Sequence, residues 1–316
     1  MKNKGFTLIE LLGVIMILAI LALITFPPII EEIKKSKSEI KGTTKVLIID
    51  AAKDYYEDNI NNYELIEGVT YCININTLSE QGYLNKKIKD ENLNDINTSK
   101  NVKLVYHNAK FDYDVVDSCT YYTVTFDANG GNVDIDSKEV IENSVYGTLP
   151  TPTRAGYTFM GWNGKNMINI DAMTNESLIN NNDGTYTIWY NTSGRMSKIL
   201  NVSIVSNTKV VMSYNMVDYN GTEAANNSVK IFGQTADNSE IYITTNGSIK
   251  TITKDVKKIR IYQEGAQPVG TYTKFKNLQL EEGETVTPYE PYFIKEDTKM
   301  VQNYNHTLKA IWKENE

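Results

Sequence analysis

The sequence contains little cysteine and little histidine. It has two cysteines, Cys72 and Cys119, and two histidines, His107 and His306. A structural zinc site needs about four such ligands close together, so no metal site is predicted. We also find no nucleophile spaced with a base and no glycine-rich phosphate-binding loop. The sequence therefore predicts no cofactor and no catalytic residue, and it favours a protein that is not an enzyme.

Excess positive charge is also missing. The formal net charge is -7, and the lysines are interleaved with carboxylates, so no positive field gathers a polyanion. Nucleic acid is therefore not a predicted partner. Hydrophobic residues at 41% and charged residues at 22% are ordinary for folded protein. A chain of 316 residues is expected to form two or three modules, at about 100 to 200 residues per domain.

A long apolar run stands near the N-terminus. Lys2 and Lys4 precede the run Phe6–Ile30, which is long enough for a helix to cross a hydrocarbon core. Positive charge before such a span keeps that end cytoplasmic and sends the rest outward. No small-x-small cleavage site follows the run. We therefore predict a single membrane span over residues 6–28 with an extracellular C-terminal region.

The start of this run reads KGFTLIELL, with Gly5 before Phe6 and Glu10 five residues into the run. It resembles the type IV pilin and pseudopilin family. The resemblance implies that a prepilin peptidase removes residues 1–5 and that Glu10 takes part in processing and assembly with other pilin subunits. Pro27 matches the family's helix-kinking proline, and Pro28 is an addition to that pattern. A plain signal anchor with Glu10 near the headgroups is the alternative.

The helical pattern continues beyond the membrane segment. Its apolar stripe comprises Ile33, Ile40, Leu47, Ala51 and Tyr55. Alternating lysines and glutamates fill the other faces, which indicates a solvated surface more than a basic patch. The spacing predicts one helix over residues 6–59, kinked at Pro27 and Pro28 because proline removes a backbone donor. Short alternating strands predict a small sheet over 68–120, which completes a pilin-like domain, 6–120.

The two cysteines lie within that predicted sheet. Cys72 falls in its first strand, and Cys119 directly follows its last. In an exported protein an isolated pair most simply forms one disulfide. Two unpaired thiols remain the alternative, because sequence does not give the separation of the cysteines.

A second resemblance begins near Tyr121. The strand YYTVTFDANGG, the stretch YGTLPTP and the stretch GYTFMGW, which ends at Trp162, resemble the Listeria-Bacteroides surface repeat, the B-repeat of internalin-like proteins. That resemblance implies a small β-grasp-like domain. Its usual ending appears only near the C-terminus, as HTLKAIW. We therefore predict one repeat formed by 121–163 and 296–316 and split by an insert, 164–295, because insertions survive best in exposed loops.

The insert holds many short alternating strands separated by turn residues, which predicts a β-sandwich. Its last stretch, KNLQLEEG followed by TPYEPY, resembles the closing strand of jelly-roll modules in phage tail proteins and carbohydrate-binding domains. Candidate ligand-binding aromatics are Trp189, Tyr190 and Tyr214, although strand aromatics more often pack in a core. The run from Asn180 to Gly184 is an asparagine-rich turn in preference to a calcium site.

Together these patterns predict an α+β multidomain protein. The predicted function is that of a minor pilin-like subunit, held in the membrane, moved to the cell surface in a filament, and displaying β modules that bind a glycan or a host-surface protein. The alternative is a pseudopilin of a secretion or DNA-uptake apparatus, in which the β modules regulate assembly. A glycan-processing enzyme within the insert is a third hypothesis.

Overall fold

The computed structural model describes residues 8–85, 87–90, 92, 94–190, 196–220, 229–263 and 268–316, with the backbone alone at 10, 20–29 and 245. The chain divides into two compact units, Met1–Thr120 and Tyr121–Glu316. The predicted cleavage site, Gly5 and Phe6, lies outside the described residues. The side chains of Glu10, Pro27 and Pro28 also lie outside the description, although their backbone belongs to a helix.

Unit 1 combines a long helix with a small antiparallel sheet. Its elements are α1 (Leu8–Asp58), β1 (Thr70–Asn74), α2 (Ile75–Glu80), β2 (Asn101–His107) and β3 (Lys110–Val116). The strand order is β1-β2-β3, and both pairings are antiparallel. In the described part of the chain, no helix is both long enough and apolar enough to cross a membrane.

The C-terminal half of α1 provides the helix side of the unit 1 core. Ile48, Ala51 and Ala52 are buried and pack in one cluster with residues of the sheet. Val102 and Leu104, two positions apart on β2, are fully buried in the same cluster, because alternate residues of a strand point to one face. Small alanine side chains let the helix backbone approach the sheet closely.

Cys72 in β1 and Cys119, just after β3, form a disulfide with their Cα atoms 6.6 Å apart. The predicted disulfide is therefore confirmed, and the alternative of two unpaired thiols is wrong. The bridge joins residues 47 apart in sequence. It fastens the end of unit 1 to the first strand of its sheet, immediately before the chain enters unit 2.

Unit 2 is built from strands. They are β4 (Tyr121–Asp127), β5 (Ser137–Ile141), β6 (Tyr157–Asn163), β7 (Leu178–Asn180), β8 (Tyr186–Tyr190), β9 (Leu200–Ile204), β10 (Lys209–Asn220), β11 (Val229–Gln234), β12 (Glu240–Thr245), β13 (Ile249–Thr251), β14 (Val256–Gln263), β15 (Thr271–Glu282) and β16 (His306–Glu314). They form three of the four sheets in the described part of the chain.

One sheet brings together strands from both sides of the long excursion β7–β15. Its order is β5-β4-β16-β6, with β16 parallel to β4 and antiparallel to β6. Its core contains Trp162, which is 2% exposed, together with Phe126 and Leu308. The Trp162 indole N–H donates to the Pro150 carbonyl at 2.8 Å. The last strand of the chain therefore completes a sheet begun more than 140 residues earlier.

The excursion forms a two-sheet sandwich. One sheet has the order β13-β10-β15-β8-β7, and the other has the order β12-β11-β14-β9. Side chains of both sheets meet in one core, for example Ile188 and Phe275 from the first with Ile231 and Ile261 from the second. All four are fully buried. A helix followed by several packed sheets confirms the predicted α+β multidomain class.

Candidate functional site

The five-stranded sheet of the sandwich carries a polar and aromatic cluster on the face that points away from the core. Since Ile188 and Phe275 point into the core, their neighbours Trp189 and Lys274 point to the opposite face. Hydrogen-bonded register places further side chains beside them. We define the open-face cluster as Trp189, Asp218, Asn220, Tyr272 and Lys274.

Two aromatic rings form the centre of this cluster. Trp189 on β8 and Tyr272 on β15 are register partners, and their ring centroids lie 4.9 Å apart with a 49° tilt. Both residues are partly exposed. Adjacent aromatic rings on a strand surface offer a large apolar area at low conformational cost, so the pair provides a platform on which a flat, partly apolar ligand can stack.

Polar groups hold the ring of Tyr272 in place. The Tyr272 hydroxyl donates to Asp218 Oδ2 at 2.7 Å, and this hydrogen bond raises the pKa of Tyr272. Asn220 Oδ1 accepts from the Tyr272 backbone N–H at 2.6 Å, and its amide donates to the Gly270 carbonyl at 3.0 Å. The ring of Tyr272 is thus fixed from both its hydroxyl and its backbone, which reduces the entropy lost when a ligand binds.

A charged pair borders the same face. Lys274 Nζ lies 3.0 Å from Asp183 Oδ2. Hydrogen bonds from Thr185 and from Lys274 lower the pKa of Asp183 to about 2. Both oxygens of the Asp183 carboxylate therefore accept hydrogen bonds within the chain, and no group of three His, Cys, Asp or Glu side chains that could hold a metal ion occurs in the described ranges. The turn instead supplies a carboxylate that positions a lysine beside the aromatic platform.

The structure separates the three aromatic residues predicted from the sequence. Trp189 belongs to the open face. Tyr190 follows it on the strand and so points to the other side. Tyr214 is 5% exposed and lies in the sandwich core, and burial raises its pKa to about 12. The core position of Tyr214 does not suit stacking on an external ligand, whereas for Tyr190, which is partly exposed, ligand binding stays a prediction.

Sequence reasoning missed Tyr272. Its segment, Thr271-Tyr272-Thr273-Lys274-Phe275, alternates in the way typical of a strand with two different faces. Phe275, three positions after Tyr272 on the same strand, is buried in the core. Odd and even positions of a strand face opposite sides, so the burial of Phe275 would have placed Tyr272 on the open face. What the alternation does not give is the pairing of Tyr272 with Trp189, which depends on register between strands far apart in sequence.

A second arrangement lies where the sandwich joins the other sheet of unit 2. We define the junction network as Tyr146, Lys165, Glu290, Gln302 and His306. Glu290 is fully buried, and its carboxylate accepts from the Lys165 backbone N–H at 2.8 Å and from Gln302 Nε2 at 2.9 Å. The Tyr146 hydroxyl lies 3.3 Å from Glu290 Oε1. The segments that lead into β7 and out of β15 thus share one carboxylate.

His306 completes the junction network in its neutral form. Its Nδ1 lies 3.0 Å from the Tyr304 carbonyl, which can only accept, so Nδ1 carries the proton. Nε2 lies 2.9 Å from the Tyr146 hydroxyl, which is also the donor to Glu290. Burial lowers the pKa of His306 from its ordinary value of 6.5, because a charged imidazolium is poorly solvated there.

This burial predicts a pH dependence of stability. Above about pH 6.5 this histidine is mostly neutral in both the folded and the unfolded state, so it does not change the stability. Below that pH the unfolded state binds the proton more readily than the folded state does, so the folded state loses stability. We therefore expect the melting temperature of unit 2 to fall as the pH drops below about 6.5. Differential scanning calorimetry of the full chain at several pH values measures this change.

The chain offers a matched control for that experiment. His306→Gln should flatten the pH profile of unit 2, whereas His107→Gln, which lies in unit 1, should leave the unit 2 profile unchanged. A carboxylate whose pKa is lowered in the folded protein, such as Asp183, loses its contribution to stability only at more acidic pH. Its effect on the melting temperature therefore begins at a lower pH than the effect of His306. A profile that is equally steep in wild type and His306→Gln would contradict the assignment to His306.

Comparison with known protein families agrees with the two predicted resemblances. Residues 1–26 match the prokaryotic N-terminal methylation motif, and residues 122–185 match the Listeria-Bacteroides repeat domain. No curated protein and no solved structure matches the chain. The methylation motif implies processing by a prepilin peptidase, assembly with other pilins, and a membrane-anchored, surface-assembled protein. The matches support a type IV pilin-like or pseudopilin-like protein that carries a surface repeat.

Proposed function

We propose that this chain is a minor subunit of a type IV pilus-like filament and that its sandwich binds a surface glycan. In this proposal the peptidase cuts between Gly5 and Phe6, and the helix that follows enters the filament. Unit 2 is longer than unit 1, which favours a subunit of low copy number or at a tip over one packed along the whole filament. The repeat is proposed to be β-grasp-like and the sandwich a jelly roll.

The pair Trp189 and Tyr272 is the single observation that carries the proposed ligand. A sugar ring has an apolar face that can cover aromatic carbon, while its hydroxyls need hydrogen-bond partners at the rim. Asp218, Asn220 and Lys274 stand at that rim; each is already bonded within the chain, and the Asp218 carboxylate and the Lys274 ammonium have further acceptor and donor capacity. Recognition sites commonly combine aromatic area with a few placed polar groups, and this combination favours a glycan over a purely apolar ligand.

Removing either ring tests the proposal. Purified full-length chain in detergent is applied to a glycan array, and the best ligand is then titrated against variants. Trp189→Ala and Tyr272→Ala are each expected to weaken binding about tenfold or more, which corresponds to about 1.4 kcal/mol for a lost stacking surface. Isothermal titration calorimetry gives the dissociation constants.

Tyr242→Ala is the matched control, because Tyr242 lies on the other sheet of the same sandwich, paired with Phe232. It should leave binding unchanged. If no glycan binds the wild-type chain, or if Tyr242→Ala weakens binding as much as Trp189→Ala, the proposed site is wrong. An inert sandwich would favour the alternative, a pseudopilin whose β modules act in assembly.

A further inference from the structure

We propose that the Cys72–Cys119 disulfide is a mechanical shunt that carries tension past residues 73–118 of unit 1. The inference rests on the proposed function, because a displayed module that holds a surface pulls on the helix that anchors it. Tension then runs along the chain from α1 to Tyr121, the first residue of unit 2. The bridge decides which part of unit 1 lies on that path.

The covalent order of the chain sets the path. After α1 ends at Asp58, the chain reaches Cys72 in β1, passes through α2, β2 and β3, and returns to Cys119, two residues before β4. The disulfide closes this stretch into a loop whose ends have Cα atoms 6.6 Å apart. A closed covalent loop cannot lengthen beyond its crosslink, so force that arrives at Cys119 passes directly to Cys72.

Without the bridge, the same force would reach β3 first. Val116 at the end of β3 pairs with Asn101 at the start of β2, so pulling beyond Val116 would load the hydrogen bonds of this hairpin one after another from that end. With the bridge, force enters at Cys72 in the middle of β1, opposite Lys103. The pairs Thr70–Val105 and Tyr71–Leu104, on the side of Cys72 towards α1, then take up the load.

The segment that stays on the path is held by an aromatic cluster. Between Asp58 and Cys72, the ring of Tyr63 packs against Tyr71 at 4.8 Å and against Tyr56 at 5.1 Å. The backbone N–H of Gly68 donates to the Tyr106 carbonyl at 2.8 Å. The portion of unit 1 that the shunt leaves under tension is thus fastened both to the end of α1 and to the sheet.

The shielded loop contains most of the strand pairing of unit 1. It includes the whole of β2 and β3 with their fully buried residues Val102 and Leu104. If tension cannot reach this loop, the sheet that covers the second half of α1 stays folded while the segment before Cys72 is stretched. The disulfide then protects the body of the subunit, and reduction of the bridge would expose that body to load.

Single-molecule pulling on the full chain tests the shunt. Peptide tags for enzymatic attachment are placed at the two chain ends, and the protein is held in detergent and stretched in optical tweezers. Unfolding of unit 1 should release about 160 Å more contour length after reduction than before, from a sequence separation of 47 residues at about 3.4 Å each. The same extra length is expected for the double variant Cys72→Ser, Cys119→Ser without reductant.

Two comparisons decide the outcome. The contour length released by the double variant must not change with reductant, which excludes effects of the reagent elsewhere. If that variant does not fold, the comparison of wild type before and after reductant decides the outcome. Equal contour lengths for oxidised and reduced wild type would overturn the shunt. The measurement needs no ligand, so a failed glycan screen leaves it intact, and loss of the shunt leaves binding at Trp189 unaffected.

Discussion

Replacing Glu10 with alanine is expected to reduce incorporation of the chain into filaments by about tenfold or more, while removal of the leader continues. Cleavage before Phe6 creates an α-amine with an ordinary pKa of about 7.7 to 8.0, which is largely cationic at neutral pH. A carboxylate at mid-bilayer depth costs about 2.5 to 3.5 kcal/mol, which is an upper bound for Glu10, the fifth residue of the predicted span. In the proposed filament, Glu10 pairs with the amine of a neighbouring subunit, which would offset this cost, and about 1.4 kcal/mol of lost pairing corresponds to a factor of ten.

The measurement compares the variant in sheared filament fractions with the variant in membranes by immunoblot, and mass spectrometry of the membrane form reports leader removal. Glu31→Ala is the matched control, since Glu31 is an exposed glutamate on the same helix. It should enter filaments at the wild-type level. Normal incorporation of Glu10→Ala would remove the physical basis for reading this chain as a filament subunit.

The long helix shows how far periodicity alone can predict burial. The apolar stripe predicted from spacing includes Ala51, which is 4% exposed, but also Ile33 and Leu47, which are 51% and 44% exposed. Helical spacing places these residues on related faces, yet burial needs a partner surface. The sheet of unit 1 covers the helix around Ile48 and Ala52 and does not reach Ile33, so an apolar side chain there stays open within this chain.

The sandwich was predictable as a class but not in its pairing. Alternation and turn residues indicated short strands, and the structure has them in two sheets. Several neighbours in these sheets are distant in sequence, as with β10 and β15, which pair over most of their length. Local patterns carry no information about such register. For that reason the partly exposed Trp189 and the core residue Tyr214 looked alike in the sequence, although they serve opposite faces.

The junction network was beyond sequence reasoning for a similar cause. Glu290 lies in a stretch that resembles the end of a jelly roll, and His306 lies in the last strand of the repeat, but nothing local indicates that both approach Tyr146. The Tyr146 hydroxyl joins residues 144 and 160 positions away. A buried carboxylate with several donors is an effect of tertiary packing, and it is visible only once the two ends of the excursion are side by side.

Removing the Glu290 carboxylate is expected to lower the free energy of unfolding of unit 2 by about 3 kcal/mol. Losses of this size follow when one partner of a buried polar network is deleted. In Glu290→Ala the donors from Lys165 and Gln302 lose their acceptor in a site closed to water. Glu290→Gln keeps one acceptor oxygen and should lose less. Urea unfolding of the full chain, followed by tryptophan fluorescence, gives the free energies, because all three tryptophans lie in unit 2.

Glu282→Ala separates this effect from the loss of any glutamate in the same region. Glu282 ends β15 and is exposed, so its removal should change the free energy of unfolding by less than about 0.5 kcal/mol.

Gly164 gives an independent check, because a side chain there would collide with the Glu290 carboxylate. Gly164→Ala should therefore destabilise the wild type more than it destabilises Glu290→Ala. Equal losses of stability in both backgrounds would mean that Glu290 does not hold the first segment of the sandwich in place. The junction would then depend on backbone contacts, such as the hydrogen bond from the Ile294 N–H to the Trp162 carbonyl at 2.8 Å.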